Sequence, residues 1–137
     1  MHSEILEKVK KIGIVPVVVL EDAKDAAPLA KALIEGGLPC AEVTFRTACA
    51  EECIRIMHEE YPETQILVMA IFPRGSLIDQ IQETNSLLHQ WIPEIPNVKL
   101  IDIFDQFLKK DSPTRKPDEQ YFQKDLCHLN RNGYCLW

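Results

Sequence analysis

The residues of this chain that could do chemistry fall in three places. Arg46, followed by Thr47, and Arg74 carry guanidinium groups just past apolar runs. A phosphate or carboxylate could be held there, against the N-termini of the helices that follow. Asp125 and His128 stand three residues apart in a polar stretch. An exposed imidazole with a carboxylate partner can take up a proton and hydrolyse activated esters slowly. Cys49 and Cys53 share a helix face, but no Cys-x-x-Cys or histidine partner makes a zinc site of them. The serines are Ser3, Ser76, Ser86 and Ser112, and Ser76 is placed to cap a helix. The sequence implies no metal and no cofactor.

The elements that must position these residues are legible as alternating patterns. Apolar runs rich in Val, Ile and Leu cover residues 14–20, 41–45, 66–72 and 98–103. Short continuous runs of this kind predict strands buried on both faces of a parallel sheet. Between them, helical spacing predicts helices over 23–35, 48–60 and 76–91, with a last helix after Leu129. Asp22 and Thr47 are the expected caps of the first two, and Asn130 of the last. Gly36 and Gly37 stop the first, Glu51 supports the second's first turn, and Ile78, Ile81, Leu87, Leu88 and Trp91 point inward from the third. This order predicts a single three-layer, flavodoxin-like α/β domain: a four-stranded parallel sheet of order 2-1-3-4 with helices on both faces. Ligands of such sheets bind beyond the carboxyl ends of the strands. Glu21, Asp22, Arg46, Thr47, residues 73–76, Phe104 and Asp105 belong there, beside the loop that carries Asp125 and His128.

Composition narrows the function classes. At 137 residues the chain has room for one domain with a real core. A net charge of −6, with scattered basic residues, argues against nucleic-acid binding. No run reaches the roughly 18 to 20 apolar residues of a membrane span, and the charged N-terminus does not read as a secretory signal. Five cysteines cannot all pair, so buried reduced thiols and a cytoplasmic setting are expected. No partner, nucleic acid or membrane is implied, and a monomer or weak homodimer is expected.

Residues 1–63 resemble the opening of the 2-keto-3-deoxy-6-phosphogluconate and 2-keto-4-hydroxyglutarate (KDPG/KHG) aldolases. The resemblance runs through Ile14-Val15-Pro16-Val17, Ala27-Pro28-Leu29-Ala30-Lys31-Ala32-Leu33, Gly36-Gly37 and Glu42-Val43-Thr44-Phe45-Arg46-Thr47. It implies a (βα)8 barrel with a Schiff-base lysine late in the chain. The residue matching Glu42 would handle protons, and the one matching Arg46 would hold the substrate carboxylate. On this reading the resemblance ends after the second helix, before the lysine strand and the phosphate site. Glu42, Arg46 and Thr47 are then expected to be relics.

From about residue 54 onward the chain resembles the GDSL/SGNH esterases, which are flavodoxin-like hydrolases. The carriers are residues 66–75, Asn85, residues 98–104, Asp125-Leu126-Cys127-His128-Leu129-Asn130, Gly133-Tyr134 and Trp137. The resemblance implies that His128 is the base and Asp125 its orienting carboxylate, but the Gly-Asp-Ser nucleophile block is missing. Together the two resemblances predict an engineered fold chimera with a crossover within residues 53–65. Segment 1–60 would derive from the aldolase and segment 61–137 from the esterase. The chain would be a scaffold without evolved activity, not an enzyme. The alternatives are a weak ester hydrolase built on Asp125 and His128, or an anion binder at the sheet edge.

Overall fold

The structure is a computed structural model and describes residues 2–110 and 115–137. It divides into two compact units, residues 1–64 and 65–137. In the first unit the described elements are helix α1 (His2–Ile12), strand β1 (Val17–Val18), helix α2 (Ala26–Glu35), strand β2 (Glu42–Val43) and helix α3 (Ala50–Glu60). In the second they are strand β3 (Ile66–Met69), helix α4 (Ile78–Trp91), strand β4 (Val98–Ile101) and helix α5 (Arg131–Leu136). The α/β class is as the alternating pattern predicts. The single four-stranded sheet is not: the strands form two separate two-stranded parallel sheets, β1–β2 and β3–β4.

In the first unit, β1 and β2 pair in the register Val17 to Glu42 and Val18 to Val43. Both strands are far shorter than the predicted runs. Pro16 cannot donate to a ladder, although its carbonyl accepts from Glu42 N at 2.9 Å. Beyond Val43 the chain turns back, with Arg46 N donating to Thr44 O at 2.8 Å. Asp22 caps as expected, accepting from Lys24 N, and opens a 3-10 turn (Ala23–Asp25) that runs into α2. Helix α2 packs on α3, and the buried residues of the pair are small: Ala26, Ala30, Ala50 and Cys53. Small side chains let two helix backbones approach closely. Val17, Val19, Ile34 and Phe45 are exposed, so burial of the strands on both faces is corrected for this unit. Thr47 does not cap α3. Cys49 holds that position, because residues 45–49 form a turn before the first helical residue.

In the second unit, β3 and β4 pair over four residues, Ile66 to Val98 through Met69 to Ile101. The residues of α4 that are buried or half-buried form one stripe: Ile78, Ile81, Gln82, Asn85 and Leu88, continued by Ile92. Steps of three and four keep that stripe on one side of a helix. Leu87 and Trp91, expected to point inward, lie off the stripe and are exposed. Asn85 takes an apolar position because it clamps the chain beyond β3. Its Oδ1 accepts from Ile71 N and its Nδ2 donates to Ile71 O, both at 2.9 Å. Ser76 lies inside a 3-10 turn (Gly75–Leu77) and caps nothing, since α4 begins two residues later. Ser86 bonds back to Gln82 O at 2.8 Å.

The core of this unit gathers on Phe107, which is fully buried, with Phe122 and Leu129. Phe72, Tyr121 and Phe122 surround the Phe107 ring at centroid distances of 4.9, 5.6 and 5.7 Å. Such tilted and edge-on contacts add to what burial alone supplies. Of the loop expected over residues 111–120, residues 111–114, which include Ser112 and Pro113, lie outside the described residues. Its described flanks pair, Leu108 with Pro117. Asn130 caps α5 as expected, accepting from Gly133 N at 3.1 Å. Gly133 is required there, because a Cβ on it would stand 2.2 Å from Tyr121 O and 3.0 Å from Leu129 Cδ2. Replacing Gly133 with Ala is expected to lower stability by about 1 to 3 kcal/mol. Urea unfolding followed by circular dichroism measures it.

Candidate functional site

Asp125 and His128 share one loop of the second unit. An isolated bridge between Phe122 and Leu129 closes its base. Gln123 N donates to His128 O at 2.7 Å, and Leu126 N to Gln123 O at 2.9 Å. Leu126 adopts a left-handed backbone, φ 51°, which turns the chain sharply enough for both functional side chains to leave on one side. The Asp125 carboxylate serves both ends of that turn. Its Oδ1 accepts from Cys127 N and His128 N, each at 3.0 Å. Its Oδ2 lies 2.5 Å from His128 Nδ1. The ring is thereby fixed with Nε2 outward, and Nε2 has no partner among the described residues. The His128 imidazole, and then the His128 and Cys127 N–H groups, hold the Asp125 carboxyl well below the usual carboxylate range.

Glu42, Arg46 and Thr47 lie in the first unit, at β2 and the turn that leaves it. Glu42 and Arg46 are exposed, and neither side chain makes an ion pair among the described residues. Thr47 is half-buried, and its Oγ1 stands 3.5 Å from Cys49 Sγ. Thr44 Oγ1 is buried with no hydrogen-bond partner. Arg74 lies in the second unit, exposed, at the residue before the 3-10 turn that leads into α4. The predicted residues thus fall into two sets, one in each unit.

Sequence reasoning missed a second carboxylate–imidazole pair. His89 Nε2, in the last turn of α4, lies 2.6 Å from Asp102 Oδ2, just past β4. The other oxygen of Asp102 accepts from Phe104 N at 2.8 Å. With Ile103, Asp105 and Gln106 the pair lines a shallow cleft of about 270 Å³. Asp105 is itself paired with Arg115 at 2.5 Å. Thirteen residues separate His89 from Asp102, so no local spacing announces them. The one available signal was that both lie near the ends of their elements. Among the described residues no three or more His, Cys, Asp or Glu side chains are grouped to hold a metal ion. None of the described helices is long and apolar enough to cross a membrane. All five cysteines are free, but only Cys53 is buried, and Cys135 is exposed.

Parallel strand pairs followed by packed helices define an α/β protein, and its first unit carries the Glu-Val-Thr-Phe-Arg-Thr run at a strand end. A family model described as KDPG and KHG aldolase matches residues 5–85. The chain belongs to that family. It is 50% identical over 56 residues to the 2-dehydro-3-deoxy-phosphogluconate aldolase of Treponema pallidum, covering 41% of this chain and 27% of that one. Against the enzyme of that name from Zymomonas mobilis it is 44% identical over 70 residues, 51% of this chain and 33% of the relative. Against the KHG/KDPG aldolase of Escherichia coli K12 it is 48% identical over 50 residues, 36% of this chain and 24% of the relative. The matched region therefore spans about a quarter to a third of these relatives.

These findings correct the expectation of an engineered scaffold that is not an enzyme. The family is one of aldolases, and relatives at 42–50% identity carry that name. The matched span also runs through residues 53–65 and on into α4, past the second helix where the resemblance was expected to end. The ester hydrolase and the anion binder, weighed beside the scaffold, give way to the same finding.

The dyad's geometry sets a pH dependence. The folded carboxyl of Asp125 titrates below its unfolded value of about 3.9. Native contacts favour the ionised form, so its contribution to stability is complete above the unfolded value. It is lost as the pH falls toward the folded one. Asp125→Asn is expected to lower the urea midpoint at about pH 7, with the gap to wild type narrowing below about pH 4. Paired urea titrations across that range check it.

Proposed function

We propose that this chain takes part in a 2-oxo acid aldolase reaction of the kind its relatives are named for. In it Arg46 holds the substrate carboxylate and Glu42 moves a proton. The carrying observation is that Glu42 and Arg46 lie within the family-matched span, at a parallel strand and the turn leaving it, with both side chains exposed and, among the described residues, free of ion pairs. An arginine not engaged by a protein carboxylate is available to bind a ligand carboxylate through two parallel N–H donors. An exposed glutamate is within reach of solvent, with which it can exchange protons between turnovers. Thr47 sits next to Arg46 and offers a hydroxyl on the same turn. The family match goes with a barrel-type fold better than with a flavodoxin-like order. In the family the imine-forming lysine lies later than the matched span, so the residues in hand are those of carboxylate recognition and proton transfer.

The test is binding and turnover together. Pyruvate, the smallest 2-oxo acid, is expected to shift the Arg46 side-chain resonance in a nitrogen–proton spectrum, and Arg46→Ala to abolish saturable binding. In a coupled pyruvate-release assay with 2-keto-3-deoxy-6-phosphogluconate, Glu42→Gln is expected to lower kcat by about 10² to 10⁴. Arg46→Ala should act mainly on KM. Pyruvate binding that survives Arg46→Ala, or the lack of any cleavage by the wild-type chain, overturns the proposal.

A further inference from the structure

Two sulfurs converge at the start of α3, and nothing assigned above uses them. Cys53 Sγ lies 3.9 Å from Cys49 Sγ. The Cys49 thiol donates to Leu20 O at 3.1 Å. Cys53 is fully buried and Cys49 half-buried, so Cys49 is the sulfur that solvent reaches first. Burial pushes the Cys53 thiol up.

The sulfur separation discriminates between two chemistries. A disulfide needs sulfurs about 2.05 Å apart and Cβ atoms about 3.5 to 4.5 Å apart. Cys49 caps α3, and Cys53 N donates to its carbonyl at 2.8 Å; at that helical spacing Cβ atoms stand about 5 to 6 Å apart, so closing that bond would distort the first turn of α3. A soft ion bonded to each sulfur at about 2.3 Å spans the observed 3.9 Å with an angle at the metal of about 116°. That angle lies near the trigonal value and needs no movement of the helix. Zinc would require four ligands, and no third metal-binding side chain is grouped with the pair among the described residues. Soft ions that accept few ligands favour thiolates.

We propose that Cys49 and Cys53 form a two-thiolate site for a soft monovalent ion of the copper(I) class, its remaining position open to solvent or a small thiol. Two metal–sulfur bonds form and two S–H protons pass to solvent, with no change in oxidation state. The Cys49 thiol gives up its hydrogen bond to Leu20 O, and the ion takes the proton's place between the sulfurs.

Anaerobic titration of the full chain with copper(I), in competition with a chromogenic chelator, tests this. One equivalent per chain is expected to bind, with a sulfur-to-copper charge-transfer band in the near ultraviolet. Cys49→Ala should weaken binding by more than about 100-fold, the upper end of what losing a supporting contact produces. The triple variant Cys40→Ser, Cys127→Ser, Cys135→Ser should bind like wild type. Because Cys53→Ala removes a buried side chain, its helicity is checked by circular dichroism, and Cys49→Ala at the half-exposed position stands as the independent arm. Binding retained in Cys49→Ala, binding lost in the triple variant, or a Cys49–Cys53 disulfide found by peptide mapping with no copper bound would each overturn the proposal.

Discussion

The amide of Asn85 decides how α4 lies on its sheet in the second unit. Both of its hydrogen bonds go to the backbone of Ile71, beyond the end of β3. Paired this way, the N–H and C=O of Ile71 escape the roughly 1 to 3 kcal/mol that each would cost if buried without a partner. An amide bonded to both the N–H and the C=O of one residue also fixes the rotation of its helix. With Asn85 facing inward, Ile81 and Leu88 follow on the same row, and His89 comes round to meet Asp102 past β4. The cleft that this pair lines therefore depends on a polar residue buried a full turn away from it.

In the first unit the constraint is different. Where α2 meets α3 the fully buried residues are alanines and a cysteine, with larger apolar side chains such as Leu29, Leu33, Ile54 and Met57 half-buried around them. The strands beside them are short, and the chain leaves β2 by a tight turn. That turn carries Phe45 and Arg46 outward and delivers Thr47 and Cys49 to the start of α3. Arg46, Thr47 and Cys49 thus lie within a few consecutive positions. One hydroxyl, Thr47 Oγ1, is in contact with Cys49.

The alternation of strand and helix was legible because apolar runs and helical spacing have different periods. The helix stops at Gly36 and Gly37 and the caps at Asp22 and Asn130 followed from local chemistry. Thr47 and Ser76 did not, because each has the right side chain but sits upstream of a turn that delays its helix. The inward face of α4 was misjudged at Leu87 and Trp91 because hydrophobicity was counted and Asn85 was not. Nothing in a linear pattern says that an amide will be buried until its backbone partner is known. Strand pairing beyond nearest neighbours, and the meeting of His89 with Asp102, are long-range facts of the same kind. The aldolase run was legible at Glu42 to Thr47, whereas how far the family extends along the chain was not. Past Thr47 the residues that carry it are ordinary helix and strand formers.

The hydrogen bonds that shape the loop bearing Asp125 and His128 run between residues close in sequence. The Phe122–Leu129 bridge, the Asp125 turn and the bonds from Asn130 Nδ2 to Gln120 O and Phe122 O all join residues no more than ten apart. Contacts of such short range require little loop closure and form early and independently of distant pairing. The segment behaves in that sense as a cassette. Its hydrogen-bonded shape is written into its own dozen residues, while Phe122 and Leu129 anchor it to the core around Phe107.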